Sequence, residues 1–133
     1  GQLVEAADPQ TLFKWALFDR APMPAWGKGP ITLLGDACHP TLPFMAQGAA
    51  MAIEDAAVLA ACLDQGEVAA GLRRYEDLRR ERTAMIQKGS RRNASVFHMS
   101  GVKAWFRNRA VQRAGQGTMD RLYRYNALEA VNN

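Results

Sequence analysis

The 133-residue sequence predicts an α+β fold that is mainly helical, with two short strands followed by about four helices. Three observations predict it. Large apolar residues alternate over 12–19, and a β-branched and leucine run occupies 31–35. Beyond residue 47, apolar residues recur at helical spacing between glycines. Two strands do not make a stable sheet alone, so the front third is expected to be the edge of a larger sheet.

The first elements are short and bounded by turn residues. "LVEAA" (3–7) is typical of a last helical turn, which Asp8-Pro9 ends. "LFKWALFD" (12–19) predicts a half-buried strand, and "RAPMPAWGKGP" (20–30), with its prolines and glycines, predicts a loop. "ITLLG" (31–35) predicts a buried strand.

Four helices are predicted behind these strands. The first runs from Gln47 or Gly48 to Leu63, and the second from about 67 toward Met99, with Gly89 as a kink or an end. Two more are expected over 102–114 and 119–128. The chain is therefore interpreted as one structural unit over 1–133.

Composition excludes several classes of protein. No run approaches the roughly 20 apolar residues of a membrane span, and the first ten residues have no secretory pattern. Two cysteines, Cys38 and Cys62, are too few for a disulfide framework and lack zinc spacing, so no metal site and a cytoplasmic location are expected. The first residue is not methionine, so the chain either carries a tag scar or begins within a longer protein.

The net charge of +4 is unevenly placed, because residues 88–124 hold nine Lys/Arg against one acid. Such a region suits nucleic acid, an anionic cofactor or a solvated helix face. It contains no recognisable nucleic-acid recognition module, so no nucleic-acid partner is expected.

The stretch 31–55 carries the chemistry. Its strand ends at Gly35, which permits close approach of another backbone or a ligand, and Asp36 follows at the carboxyl end, where open α/β sheets bind ligands. A carboxylate there can accept hydrogen bonds from the hydroxyls of a sugar or ribitol chain. The alternative is that Asp36 only caps a turn.

A proline-containing loop (39–46) connects this turn to the first long helix, and Pro40 and Pro43 stiffen it. Gly48, Ala49 and Ala50 then offer unpaired N–H groups at a helix start that favours negative charge. Small residues here also suit tight packing of the helix on a sheet, and the residues alone leave both readings open.

These residues resemble the second flavin-binding motif, the GD motif, of the group A FAD-dependent aromatic hydroxylases. The matching positions are Gly35-Asp36-Ala37-Cys38-His39, Pro43, Gly48, Asp55-Ala56 and Leu59-Ala60. "RRYEDLRRERTAMIQKGSRRN" and "LYRYNAL" resemble the C-terminal helices of the branch that contains salicylate and hydroxynicotinate hydroxylases. The resemblance covers essentially the whole chain, with the GD motif at about 33–60 and the C-terminal helices at about 67–130.

The resemblance implies roles for particular residues. Asp36 would bind the ribitol chain of FAD, Gly35 would belong to the same cofactor site, and Pro43 would lie beside the reactive flavin carbon. Three N–H groups, those of Gly48, Ala49 and Ala50, would face the pyrimidine edge of the ring. Gln47 would either contact the flavin or cap the helix. Ala49 stands where many relatives have glycine, which would produce a clash only if positive φ were required.

Two further positions stay open at this level. His39 is either an acid or base on the substrate side or a loop histidine that bonds to backbone. Glu54 and Asp55 are adjacent on a helix and are expected to face different directions, with Asp55 anchoring the helix to a neighbouring loop.

The function implied by the resemblance is NAD(P)H-dependent hydroxylation of a phenol or hydroxypyridine carboxylate through a flavin hydroperoxide. The family's Gly-x-Gly-x-x-Gly unit does not occur in this sequence, so this chain alone is expected not to complete the active site. Its expected partners are a small aromatic substrate and the N-terminal part of the same enzyme. The alternative is a non-catalytic helical module that acts by self-association, for instance as a homodimer.

Overall fold

The computed structural model describes residues 2–64, 66–113 and 122–132. The regular structure of these described residues includes five α-helices and two strands, and two short 3₁₀ turns lie between the strands and the second helix. They are α1 (Gln2–Glu5), β1 (Gly27–Lys28), β2 (Ile31–Thr32), the turns Gly35–Ala37 and Pro43–Met45, α2 (Gly48–Leu63), α3 (Val68–Phe97), α4 (Gly101–Arg113) and α5 (Ala127–Asn132).

The packing of α2 on α3 forms the centre of the molecule. Buried Val58 and Cys62 of α2 meet Tyr75 of α3, together with Trp26 from the front segment and Val131 of α5. A second cluster joins Met51, Ile86 and Leu122. The predicted bounds of α2 are confirmed, since its apolar residues at helical spacing are the ones that become buried.

Helix α3 begins at a side-chain cap and runs unbroken for 30 residues. The Glu67 carboxylate accepts hydrogen bonds from the N–H groups of Ala69 and Ala70 at 2.9 and 2.8 Å. Gly89 neither ends nor interrupts the helix. A Cβ at this position would lie 2.6 Å from Met45 Sδ, so glycine provides the room in which the Met45 side chain packs. The helix ends at Phe97, two residues before the predicted end at Met99.

The predicted strand over 12–19 is wrong, because these residues have no strand structure. Their large side chains are exposed, including Phe13 at 71%, Trp15 at 82% and Phe18 at 83%. A strand needs a neighbour for its backbone groups, and no segment within the described ranges pairs with this one. Among the described residues, no neighbouring strand covers the apolar side chains that alternate in this segment.

The predicted strand over 31–35 is shorter than expected. Only Ile31 and Thr32 pair, as an antiparallel hairpin with Lys28 and Gly27 of the segment interpreted as loop. Ile31 is 68% exposed, so this strand is not the buried one that its composition predicted. Gly29, with φ of +56°, makes the tight connection between the two strands.

Two buried contacts fix this hairpin to α3. The Glu76 carboxylate accepts hydrogen bonds from the Trp26 N–H at 3.2 Å and from the Thr32 hydroxyl at 2.9 Å. Arg73 pairs with Glu76 at 2.7 Å and donates to the Ile31 carbonyl at 3.1 Å. The strand that leads into Gly35 is thus held by α3 as well as by its pairing with β1.

The helix predicted over 102–114 is confirmed as α4 up to Arg113, and residue 114 lies outside the described residues. The helix predicted over 119–128 is wrong in its extent: residues 119–121 lie outside the described residues, residues 124–126 are not helical, and α5 begins at Ala127 after a side-chain cap at Asn126. In the part of the chain that the structure describes, no helix is both long and apolar enough to cross a membrane.

Candidate functional site

The turn Gly35–Ala37 presents Asp36 at the surface. Gly35 has φ of +60°, a conformation that glycine adopts without strain, and its carbonyl accepts the N–H groups of Cys38 and His39, both at 3.0 Å. Its own N–H donates to Asp55 Oδ2 at 3.2 Å. These hydrogen bonds hold the backbone of the turn on its buried side. The Asp36 side chain lies on the opposite side of the turn, where it is exposed.

The start of α2 offers backbone donors with little side chain around them. The first helical bond runs from the Met51 N–H to the Gln47 carbonyl at 2.9 Å, and the Gln47 side chain does not cap the helix. The three N–H groups of Gly48, Ala49 and Ala50 therefore have no helical acceptor. Ala49 is right-handed helical, so its methyl causes no strain where many members of the resembled family have glycine.

A groove of about 560 Å³ joins the exposed turn to this helix start. Its walls come from the Gly35–Ala37 turn, the proline loop (39–46) and α2. The lining residues are Asp36, Thr41, Leu42, Pro43, Ala46, Gly48, Ala49 and Ala52. The structure thus brings together Asp36, Pro43, Gly48 and Ala49 of the predicted site, while Gly35, Gln47 and Ala50 are not among the residues that line the groove.

The proline loop closes with a strained residue. The Ala46 N–H donates to the Pro43 carbonyl at 3.1 Å, and Ala46 has φ of 51°, a conformation uncommon for a residue with a side chain. Within the described ranges, it is the one non-glycine residue with positive φ. Such outliers persist where the surroundings determine the backbone, and they are common at functional sites.

His39 lies on the buried side of the turn rather than in the groove. Its ring is 1% exposed, and Nε2 bonds to Asp55 Oδ2 at 2.5 Å. The Trp26 ring lies 5.3 Å away, centroid to centroid. Nδ1 is buried without a hydrogen-bond partner in the described part of the chain. This placement favours the alternative in which His39 anchors the proline loop, although its ring bonds to the Asp55 carboxylate rather than to a backbone group.

Asp55 connects the turn, the loop and α3. Besides His39 and the Gly35 N–H, it binds Arg79 Nε through Oδ1 at 2.8 Å. Burial raises the pKa of Asp55, but the hydrogen bonds from His39 and Arg79 outweigh it and hold the pKa below its ordinary value. The expectation that Asp55 anchors its helix to a neighbouring loop is confirmed.

Glu54 binds the same arginine as Asp55, although the two acids are adjacent on the helix. The Glu54 carboxylate accepts from Arg79 at 2.6 Å and from Arg82 at 3.0 Å. The two adjacent acids therefore converge on the Arg79 guanidinium, which is fully buried. The long arginine side chain reaches both, which the helical spacing of the acids alone does not reveal.

Cys38, His39 and Asp55 place three buried metal-ligand atoms within 4.8 Å of one another. The arrangement is poorly suited to a cation, because Asp55 already binds the Arg79 guanidinium and the Cys38 thiol donates to the Gly35 carbonyl at 3.2 Å. Burial raises the pKa of the Cys38 thiol to about 12, and metals bind the thiolate. We assign these atoms to the anchoring network.

The same burial predicts that Cys38 resists alkylation. At pH 8 the folded chain should hold about three orders of magnitude less thiolate at Cys38 than an ordinary cysteine would. Iodoacetamide is expected to leave Cys38 and Cys62 unmodified until urea unfolds the chain, as mass spectrometry of digested samples would show. Labelling of folded Cys38 at the rate of an exposed thiol would contradict the buried placement.

Comparisons with known proteins find a matching family and similar sequences. A family model described as "FAD binding domain" matches residues 7–93. The chain is 54% identical over 83 residues to 6-hydroxynicotinate 3-monooxygenase of Bordetella bronchiseptica, which covers 60% of the chain and 22% of the relative. It is 43% identical over 102 residues to 3-hydroxybenzoate 6-hydroxylase of Klebsiella oxytoca, covering 75% and 26%. The chain thus spans about a quarter of the length of these relatives.

Solved structures show the same likeness. Klebsiella pneumoniae HpxO complexed with FAD and uric acid matches with a TM-score of 0.74 and 32% identity, over 89% of this chain and 31% of that one. A salicylate hydroxylase substrate complex matches with a TM-score of 0.71 and 30% identity, over 89% and 30%. The mainly helical fold described above is therefore one that occurs within larger flavoprotein hydroxylases.

Proposed function

Since this chain belongs to the FAD-binding-domain family, we propose that its groove holds the ribitol chain and ring of FAD in an NAD(P)H-dependent aromatic-ring monooxygenase. The names of the similar proteins support the reaction class, because they are monooxygenases or hydroxylases of hydroxylated aromatic acids. By the same support, the substrate class is a phenol or hydroxypyridine carboxylate. The activity belongs to the whole protein, of which these residues supply one wall of the site.

The groove fits the polar side of a flavin. A Cβ built on Gly48 would meet only Thr41 Cγ2, at 3.7 Å, so the groove is open beside the helix start. The three free N–H groups and the positive end of the α2 dipole favour an acceptor or negative charge, such as a pyrimidine edge carries. The exposed Asp36 carboxylate is an acceptor for hydroxyl groups. Donors and acceptor thus lie on adjoining walls of one groove.

FAD, when bound, supplies the redox chemistry that accepts a hydride from NAD(P)H and uses oxygen to hydroxylate an aromatic ring. The residues of this chain bind and orient it. We assign Asp36 and Gly35 to the ribitol chain, and Gly48, Ala49 and Ala50 to the ring edge through their N–H groups. Pro43 and the proline loop form the wall beside the reacting face and restrict the access of water. Gln47 is buried, and its backbone carbonyl accepts the first helical bond of α2.

We propose that His39 acts on the groove indirectly. Its buried bond to Asp55 places it opposite the exposed face of the turn, so that it fixes the backbone that carries Asp36. A direct role on the substrate side would require the ring to leave this position.

The observation that carries the proposal is that Asp36 and the bare start of α2 line one groove. Asp36→Ala is expected to weaken riboflavin binding about tenfold, because a hydrogen bond to a charged acceptor is lost. Riboflavin is the appropriate probe since it contains only the ribitol chain and the ring. Quenching of its fluorescence on titration with the 133-residue chain measures the dissociation constant.

Asp64→Ala is the matched control, because Asp64 is an exposed aspartate at the far end of α2. It should bind riboflavin as the parent chain does. Equal affinities of the Asp36→Ala chain and the parent chain, or no binding by the parent chain, would count against the proposed site.

A second candidate function, self-association of a helical module, is favoured by the exposed apolar side chains. Phe13, Trp15 and Phe18 in the front segment and Trp105 and Phe106 on α4 are each more than half exposed. A homodimer and the remainder of the same enzyme are both partners that could cover them. Sedimentation at several concentrations would separate a dimer from a monomer. For both functions we propose a cytoplasmic location, which suits the two free cysteines.

A further inference from the structure

One face of α3 carries a row of side-chain donors that meets the proline loop. Gln87 Nε2 donates to the Pro40 carbonyl at 3.0 Å, Ser90 Oγ to the Leu42 carbonyl at 2.5 Å, and Asn93 Nδ2 to the Phe44 carbonyl at 3.2 Å. The three residues, here called the donor row, are spaced three apart on the helix. Their acceptors are every second carbonyl of the loop.

The composition of the loop explains why it needs external donors. Pro40 and Pro43 have no N–H, so the loop cannot complete a ladder with a neighbouring strand. Its carbonyls nevertheless lie against a buried helix face, where acceptors without partners are unfavourable. Gln87 and Ser90 are 1% and 0% exposed, which places polar groups where an apolar residue would otherwise pack.

The bonded segment also borders the groove. Thr41, Leu42 and Pro43, which lie between the first and the last bonded carbonyl, line the groove, and residues 43–45 form a 3₁₀ turn there. Gly89, next to Ser90, lets Met45 lie directly on the helix.

We propose that Gln87, Ser90 and Asn93 are positioning residues that set the path of the proline loop and thereby the groove wall formed by Pro43 and Ala46. The inference rests on the proposed function for its consequence in flavin binding, but the loop geometry can be tested without flavin. Gln87 extends the network, since Nε2 also donates to the Arg20 carbonyl at 3.2 Å.

Amide hydrogen exchange of the proline loop, measured on the chain without flavin, tests the geometry. Ser90→Ala and Asn93→Asp are expected to speed exchange of the Ala46 N–H, which bonds to the Pro43 carbonyl, about five- to tenfold, the effect of losing one hydrogen bond. Asn93→Asp is the sharper variant, because it keeps the size of the side chain and replaces the donor by an acceptor. Exchange within α2 beyond its first turn should stay unchanged.

Ser95→Ala and Asn108→Asp are matched controls. The exposed Ser95 hydroxyl bonds only within its own helix, to the Arg91 carbonyl at 3.4 Å, and the exposed Asn108 accepts from Arg107, which an aspartate also does. Both should leave loop exchange as in the parent chain. Unchanged loop exchange in Ser90→Ala and Asn93→Asp, whatever their melting temperatures, would overturn the proposal.

Riboflavin binding gives a second readout. The Ser90→Ala and Asn93→Asp variants should bind riboflavin about fivefold more weakly and alter its visible circular dichroism, which reports the surroundings of the ring. If the variants show faster loop exchange but the parent chain does not bind riboflavin, the proposed flavin site is contradicted and the role of the donor row in positioning the loop is supported. Faster exchange with unaltered affinity and dichroism would overturn the claim that the loop path matters to the groove.

Discussion

Asp55→Asn is expected to lower the free energy of unfolding by about 3 kcal/mol, the largest effect of any single change considered for this chain. The substitution keeps the shape of the side chain but removes the charge that faces the buried Arg79 guanidinium. It also places an N–H₂ group among donors, since His39 Nε2 and the Gly35 N–H converge on the same carboxylate. Urea unfolding followed by far-UV circular dichroism measures the loss, which corresponds to a melting temperature roughly 10 °C lower.

Asp77→Asn is the control for this change, because Asp77 pairs with Arg80 at 3.4 Å on the helix surface, where the side chains are 70% and 43% exposed. The same substitution there should cost less than about 0.5 kcal/mol. Comparable losses at both positions would show that the buried network contributes no more than a surface pair.

The pH dependence follows from the low pKa of Asp55. The network stabilises the fold fully above the unfolded pKa of about 3.9, and this stabilisation is lost as the pH falls through the lower folded value. The difference in unfolding free energy between the parent chain and Asp55→Asn should therefore be constant from pH 5 to 7 and shrink below about pH 4. A difference that grows on acidification would have the wrong sign.

Gly71→Ala should destabilise the chain by about 2 kcal/mol through the contact between α2 and α3. A Cβ at this position would lie 2.7 Å from the Cys62 carbonyl oxygen, and backbone atoms cannot turn aside as a side chain can. In an open helix interior the same change stabilises by up to about 1 kcal/mol, so the expected sign is opposite to that of helix propensity. Thermal unfolding of both proteins measures it.

Gly89→Ala provides the comparison within the same helix. Its Cβ would meet Met45 Sδ at 2.6 Å, but this is the end of a flexible side chain that can shift. The loss there should be under about 1 kcal/mol. If the Gly71→Ala chain is as stable as the parent chain, α2 and α3 can move apart at Gly71 at little energetic cost, contrary to this prediction.

The helices were predictable because their sequence pattern is local. Met51, Val58 and Cys62 recur at helical spacing in α2, and the same residues form its buried face. In α3, Leu72, Tyr75 and Ile86 do the same over a longer span. Glycine is the unreliable marker: Gly89 predicts a kink or an end of the helix, whereas it is a place where the Met45 side chain lies against the helix.

The errors concern elements that depend on distant partners. The apolar alternation over 12–19 is real, but a strand forms only where another strand offers its backbone groups, which no local pattern reveals. The convergence of Glu54 and Asp55 on Arg79 depends likewise on the crossing of two helices. In the candidate site, the prediction found the groove residues Asp36, Pro43, Gly48 and Ala49 but not the donor row. Polar residues spaced three apart on the buried face of α3 were the available indication.

The donor row has a consequence for how the proline loop can change in evolution or by design. Its three hydrogen bonds end on carbonyl oxygens, which all twenty amino acids possess, so the loop is recognised by its backbone and not by its side chains. Replacements at Thr41, Leu42 or Phe44 can therefore change the adjoining surface while α3 keeps its hydrogen bonds to the loop backbone. The side chains of the loop can therefore vary, whereas α3 must keep the three side-chain donors that fix the loop backbone.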